Sequence, residues 1–313
     1  MRADRTSAPT SLGAVVCCFA LACAGLATAC SHETLSLGSG HHTDSDAGLP
    51  IVEDEFAPAR VVDVSAVAKD KDDDPSLTSD LTLLYFDSRR SGGAGREDIW
   101  LSTRPDVASK WSMPSPVSEL NTSARETGIA LVADGLTIWF SSDRPDGIGG
   151  LDIYVAERPD RNTAFGAPLR VDSLSSAGDD LISFVDQAQT TAFLARRADP
   201  DQDYDLYSAR RDTRDSAWQA ATALAGLNTS AGESDAFSVE AGARLLFTRG
   251  GDLYLATRDG TGTYGDARPL GTLNSDQDDR DPWATDDLSY VMFSSKRSGS
   301  YLFYEASRRG TSD

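Results

Sequence analysis

The sequence predicts an all-β fold: a five-bladed β-propeller of four-stranded antiparallel blades, closed by an N-terminal outer strand pairing with the last blade. Three observations carry this. A motif recurs at a nearly constant interval, strand-length apolar runs are parted by glycine-rich turns, and a fragment of the same repeat stands at the other end of the domain. The anchoring phenylalanines are Phe86, Phe140, Phe193, Phe247 and Phe293, spaced by 54, 53, 54 and 46 residues. A second aromatic column, Trp100, Tyr154, Tyr207, Tyr254 and Tyr304, marks the following strand. A third, Trp111, Phe165, Trp218 and Tyr264, opens a final strand in the first four copies only. The strand missing from the fifth copy is supplied by "FAPARVVDVSA" at 56–66, which resembles "FGAPLRVDSLS" at 165–175 and puts Phe56 55 residues before Trp111. An unpaired last blade would expose a strand edge and wet an inter-blade face, so closure has a physical motive.

Within the second copy the inner strand falls at 128–132, followed by "ADG" at 133–135, where Asp-Gly favours a tight hairpin. "LTIWFSS", rich in β-branched and aromatic residues, is the second strand, "LDIYVAE" the third and "PLRVDSL" the outer one. Helical periodicity is absent throughout. The glycine-rich "DRPDGIGG" joins strands two and three, with counterparts "SRRSGGAGRE", "RRADPDQDY", "RGG" and "KRSGS". A phosphate-binding loop must lead into a helix whose amides face the anion, and these lead into strands. The glycines therefore serve turn conformations. Arg90, Arg144, Arg197 and Arg297 form one column, absent from the fourth copy; Asp98, Asp152, Asp205 and Asp252 form another, absent from the fifth. Ion pairs across each hairpin are expected: Arg90 with Asp98, Arg144 with Asp152, Arg197 with Asp205.

The stretch "FSSDRPDGIGGLDIYVAER" resembles the TolB-type, WD-like propeller repeat of exported bacterial proteins. The likeness is close in copies one and two, partial in three and five, eroded in four, and spans about residues 56–309. It implies the fold more strongly than an activity, because propellers carry many functions. It implies channel and faces that bind partner proteins or peptides in the envelope, with catalysis, where present, supplied by another domain.

One column could carry chemistry. Asp72, Glu126, Asp179, Glu233 and Asp279 precede the five inner strands, flanked by Asp73, Asp74, Asp180, Asp235 and Asp281. The shared offset predicts a ring of carboxylates at one channel mouth, relieved by cations, by arginines such as Arg125 and Arg280, or by raised pKa values. One reading is that the ring binds Ca²⁺ or a basic peptide, since a hard cation takes oxygen donors. The other is that each acid accepts backbone amides where the chain crosses between blades; the resemblance implies this second role. A glycoside hydrolase would need a carboxylate pair roughly 5 to 9.5 Å apart, with Glu126 and Asp179 as the residues to test. The acids here are repeated rather than singular, and neither glycosidase motifs nor a sialidase-type Asp box is recognisable. The propeller region has no histidine or cysteine, which disfavours their chemistry. The expected function is a non-catalytic binding or scaffold module for an envelope protein, peptide or polysaccharide, with a glycan-active hydrolase as the alternative.

The N-terminus supplies an address. Arg2 and Arg5 precede an apolar run at 12–27, too short and too rich in small residues for a good membrane span, as in a secretory signal. "LATAC", ending at Cys30, resembles the lipobox of bacterial lipoproteins, and "FALAC", ending at Cys23, is a weaker second match. All four cysteines (Cys17, Cys18, Cys23, Cys30) lie in this segment, so cleavage after Ala29 leaves Cys30 for lipidation and no intrachain disulfide. The domains read as signal peptide 1–29, acidic tether 30–55 and propeller 56–313. In the tether, His41, His42, Asp44 and Asp46 could make a weak metal site, but a solvated linker holds no ligands in fixed geometry. Ser31, in place of aspartate after the cysteine, favours the outer membrane under the Gram-negative sorting rule. The formal charge is −20, and losing Arg2, Asp4 and Arg5 with the signal leaves −21. Such a surface repels nucleic acid and anionic headgroups, so membrane contact is expected through the lipid alone and the protein as a monomer.

Overall fold

Each copy of the repeat folds as a small antiparallel sheet because its apolar and aromatic runs are strand-length and its turns supply the needed backbone. The computed structural model describes residues 55–64, 71–132 and 134–310. The expected signal peptide, Cys30 and the tether through residue 54, with His41 and His42, lie outside the described residues.

The first blade comprises β2 (Asp72–Leu77), β3 (Leu83–Ser88), β4 (Asp98–Thr103) and β5 (Ser115–Pro116). The second comprises β6 (Glu126–Leu131), β7 (Thr137–Ser142), β8 (Asp152–Glu157) and β9 (Leu169–Arg170). The third holds β10 (Asp179–Val185), β11 (Thr191–Arg197), β12 (Asp205–Arg210) and β13 (Thr222–Ala223), and the fourth β14 (Glu233–Val239), β15 (Arg244–Arg249), β16 (Asp252–Arg258) and β17 (Tyr264–Pro269). The fifth has β18 (Asp279–Ala284), β19 (Tyr290–Ser295) and β20 (Leu302–Ser307), and its outer strand is β1 (Arg60–Val61). Arg60 pairs with Glu305 and Val61 with Tyr304; the Val62 amide donates to the Phe303 carbonyl at 2.8 Å and that of Ala57 to Ser307 at 2.9 Å. The ring is closed from its N-terminal side, as the repeat pattern predicts.

Strand extents differ from the sequence expectation in three ways, the first being that the outer strands of the first three blades begin at Ser115, Leu169 and Thr222, four residues after Trp111, Phe165 and Trp218, whereas Tyr264 opens β17 as expected. The inner strand of the second blade begins at Glu126 rather than 128, because Gly128 (φ 62°) sits inside it as a bulge. The outer strand at "PLRVDSL" pairs over Leu169–Arg170 alone. Beyond it the chain turns, with the Leu174 amide on the Val171 carbonyl (3.0 Å), and the Ser175 hydroxyl takes the Ile153 amide of β8 in place of a further ladder rung.

The core lies between blades. Tyr85 and Ile99 of the first blade pack with Ile138, Phe140 and Tyr154 of the second. Leu84, Phe86 and Trp100 pack with Met292 and Phe303 of the fifth, Phe86 meeting Phe303 edge-on at 5.3 Å. Each fully buried ring of this kind contributes about 2–3 kcal/mol. Among the described residues no helix is long and apolar enough to cross a membrane.

Candidate functional site: the propeller channel

The five predicted acids sit at the channel-side start of each blade, and each is held by neighbours. Glu126 accepts the Thr122 amide (3.0 Å) and hydroxyl (2.6 Å), the Ser142 hydroxyl (3.0 Å) and Arg144 (3.3 Å), while Arg144 also donates to the Leu120 carbonyl (2.9 Å). Glu233 repeats this with Thr229, Arg249 and the Leu227 carbonyl, and Asp279 with Ser275, Arg297 and the Leu273 carbonyl. Asp72 takes Arg90 on both oxygens at 2.8 Å and the Ser88 hydroxyl at 2.6 Å. The third blade is displaced by one residue. Asp180 takes the Ser176 amide, its hydroxyl and Arg196, which also reaches the Leu174 carbonyl. Asp179, one position earlier, accepts the Leu151 amide, Arg197 and the Tyr204 hydroxyl.

Three pairing expectations are corrected. Arg90, Arg144 and Arg197 bind Asp72, Glu126 and Asp179, not Asp98, Asp152 and Asp205. Asp98 and Asp152 instead cap their own glycine loops, taking the amides of Ala94 and Gly95 and of Ile148 and Gly149. Those loops are tight enough that a Cβ at Gly149 would strike the carbonyl oxygens of Ser176 and Gly178. The fourth blade does carry the arginine: Arg249 occupies the place that the sequence column leaves blank. A signal for the whole device exists in the sequence as "LNTSARE", "LSSAGDD", "LNTSAGE" and "LNSDQDD", where the acid follows the Thr or Ser by four. The asparagines of this motif bracket the neighbouring third strand, as Asn121 does by accepting the Ile99 amide (2.8 Å) and donating to the Ile99 carbonyl (3.0 Å).

A second carboxylate group lies two residues further along three inner strands. Asp74, Asp235 and Asp281 bring one oxygen each within 4.8 Å of one another. All three have left-handed φ (51°, 57° and 55°), at bulges in β2, β14 and β18 that turn their side chains out of the sheet. The matching residue of the second blade is Gly128, whose amide donates to Asp74 at 2.7 Å. Burial, and after it the like charge of Asp74, hold the Asp235 carboxyl above the usual range. Burial and then Asp235 hold Asp281 well above it. Asp87 on β3, fully buried, is also raised well above by burial and by Asp74. In contrast Glu97, although burial pushes it up, is drawn down to about 2 by Arg125, Lys71 and Arg89.

One layer further along, the channel opens into a cavity of about 750 Å³. The residues four past each structural acid are Ser76, Ala130, Phe184, Phe237 and Trp283, and all five line it. Phe237 meets Phe184 edge-on at 5.0 Å and packs at a tilt on Trp283 at 5.9 Å, so three consecutive blades build an aromatic wall that the other two do not continue. The rim is formed by the turns after the inner strands, including Gln187, Ala241 and Asp286. This cavity was not expected from the sequence; the offset of four from the acids is the signal that points to it.

No family model matches the sequence, and no curated protein matches it. Solved structures similar to it include a protein assigned as TolB from Agrobacterium tumefaciens, at 16% identity over 72% of this chain and 70% of that one, TM-score 0.46. Trypanosoma rangeli sialidase is similar at 9% identity, over 84% of this chain and 59% of that one, TM-score 0.43. An α-L-arabinofuranosidase from Podospora anserina is similar at 9% identity, over 82% and 97%, TM-score 0.47. The likeness is one of fold alone, and the sheet order of the chain itself makes it a five-bladed β-propeller.

Proposed function

We propose that this chain is a lipid-anchored envelope protein, held through Cys30, whose propeller is a non-catalytic binding module for a partner protein or peptide. One observation carries the reading. Structural needs recur in every blade, as the acid and arginine pairs do, whereas the aromatic wall of Phe184, Phe237 and Trp283 breaks the fivefold repetition at the floor of a ligand-sized cavity. An asymmetric apolar floor suits an apolar side chain of a partner, oriented by the polar turns of the rim. The anchor, from the signal and lipobox pattern, would hold this cavity at the outer membrane.

The test is an affinity capture from envelope extracts with the full chain as bait. A partner retained by the native protein and lost from Phe184→Ala/Phe237→Ala supports the reading; retention by both defeats it. A hydrolase reading would draw on the channel carboxylates with raised pKa, since such a group can act as a general acid. Facing oxygens of Asp235 and Asp281 lie within 4.8 Å of each other, closer than the roughly 5–9.5 Å that a sugar between two carboxyls requires. Turnover of any member of a glycan panel, abolished by Asp281→Asn, would favour the hydrolase.

A further inference from the structure

We propose that Asp74, Asp235 and Asp281 form a binding site for one hard divalent cation of calcium size, which ties the first, fourth and fifth blades together inside the channel. The donors are oxygens only, as such a cation prefers, and they come from three separate strands. Two ligands on opposite sides of one calcium, each at 2.3–2.6 Å, span about 5 Å, and the three carboxylate oxygens all fall within 4.8 Å of one another.

An independent observation points the same way. Asp87 is fully buried beside Asp74, yet neither of its carboxylate oxygens has a hydrogen-bond partner. Oδ2 of Asp281, 8% exposed, and Oδ1 of Asp73, 3% exposed, also have none. A buried carboxylate oxygen without a donor is costly, and native proteins rarely leave several together. The surrounding charges do not compensate. At full ionisation Asp73, Asp74, Asp87, Glu97, Asp235 and Asp281 face Lys71, Arg89, Arg125 and Arg280, leaving an excess of two negative charges. That is the charge of one divalent cation. Arg280 stands 3.8 Å from Asp281 and 3.5 Å from Asp73, so it flanks the group without closing it. Asp74 is half occupied, its Oδ2 taking the Thr127 hydroxyl and the Gly128 amide.

The site differs from the five acids that begin the blades, whose oxygens are engaged by arginine and hydroxyl donors. It is also independent of the aromatic cavity. The experiment uses the full purified chain, stripped with a chelator, and reads Ca²⁺ binding by calorimetry and thermal unfolding. The expected result is one Ca²⁺ bound per chain and a rise in Tm of roughly 5 °C at saturating Ca²⁺. Mg²⁺, with its shorter bonds, gives a smaller rise. Asp235→Asn/Asp281→Asn loses the rise, and without Ca²⁺ it melts no lower than the stripped native chain, because like charges have been removed. Asp266→Asn, an exposed aspartate also at positive φ, keeps the full response. A native Tm unmoved by millimolar Ca²⁺, or an equal rise in the double variant, overturns the proposal. Should the double variant not fold, the stoichiometry of the native chain and the response of Asp74→Asn decide, and no bound Ca²⁺ overturns it. Phe184→Ala/Phe237→Ala retains the Ca²⁺ response whether or not it captures a partner, so the two proposals fail separately.

Discussion

Glu97 joins the first two blades through its side chain and its backbone. It forms an isolated parallel bridge with Arg125, and its carboxylate receives Lys71 (3.2 Å), Arg89 (2.6 Å) and Arg125. Its carboxyl is depressed to about 2, so the stabilisation is complete above the unfolded pKa of about 4.3 and is lost as pH falls toward 2. Glu97→Gln should lower stability by about 3 kcal/mol at pH 7, with the gap narrowing below about pH 4. Urea midpoints measured for both proteins from pH 2 to 7 check this; a gap independent of pH would assign the loss to packing. Glu97 was not legible in the sequence, because the first copy alone places a glutamate there and its partners come from three other segments. The arginine and acid columns were legible as columns, but not in their pairing. Counting along one strand cannot tell which neighbour a long guanidinium reaches, and in the third copy the adjacent Arg196–Arg197 and Asp179–Asp180 made the register ambiguous by one.

At the level of the element, second and third strands were the most legible, since each carries an apolar run with an aromatic residue at the repeated position. The outer strands of the first three blades were overread, while Tyr264 opens β17 as expected. Apolar residues beyond the outer strands pack beneath the blade, as Leu120, Leu174, Leu227 and Leu273 do with no exposure, while side-chain amides of Asn121, Asn228 and Asn274 replace the backbone rungs. β1 is the outer strand on which the ring depends. Phe56 preceding it is 1% exposed and packs with Leu288, Phe293 and Tyr304. Phe56→Ala should cost about 3–5 kcal/mol, the usual range for a buried ring. The matching truncation of exposed Val61, 54% accessible, should cost under about 1 kcal/mol. Chemical denaturation of both variants separates the cases, and equal losses would mean that the segment is held by its ladder bonds rather than by its side chains.

For the molecule as a whole, the number of blades and the mode of closure follow from five repeats plus one displaced fragment, and both are readable in the sequence. The cavity is not, because its floor is made by residues more than 45 apart that share only an offset within their repeats, and the carboxylate group is readable only as acids flanking the ring, without the choice of Asp74, Asp235 and Asp281 among them. Since closure joins residue 61 to residue 304, its contact is among the least local in the chain. Moving residues 55–64 to follow Gly310 through a short flexible linker should keep the native melting temperature within a few degrees and speed refolding, because the long loop no longer has to close first. Stopped-flow refolding of that permutant against the native order is the measurement, and an unchanged rate would place the slow step elsewhere.

The borrowed outer strand also makes the chain intolerant of partial synthesis. A nascent polypeptide that ends before Leu302 has made β1 but not the β20 edge that receives it, and Phe56 has no pocket. An early stop therefore removes more than one sheet: it leaves two unsatisfied margins at opposite ends of the product, both open to proteases and to other unfinished copies.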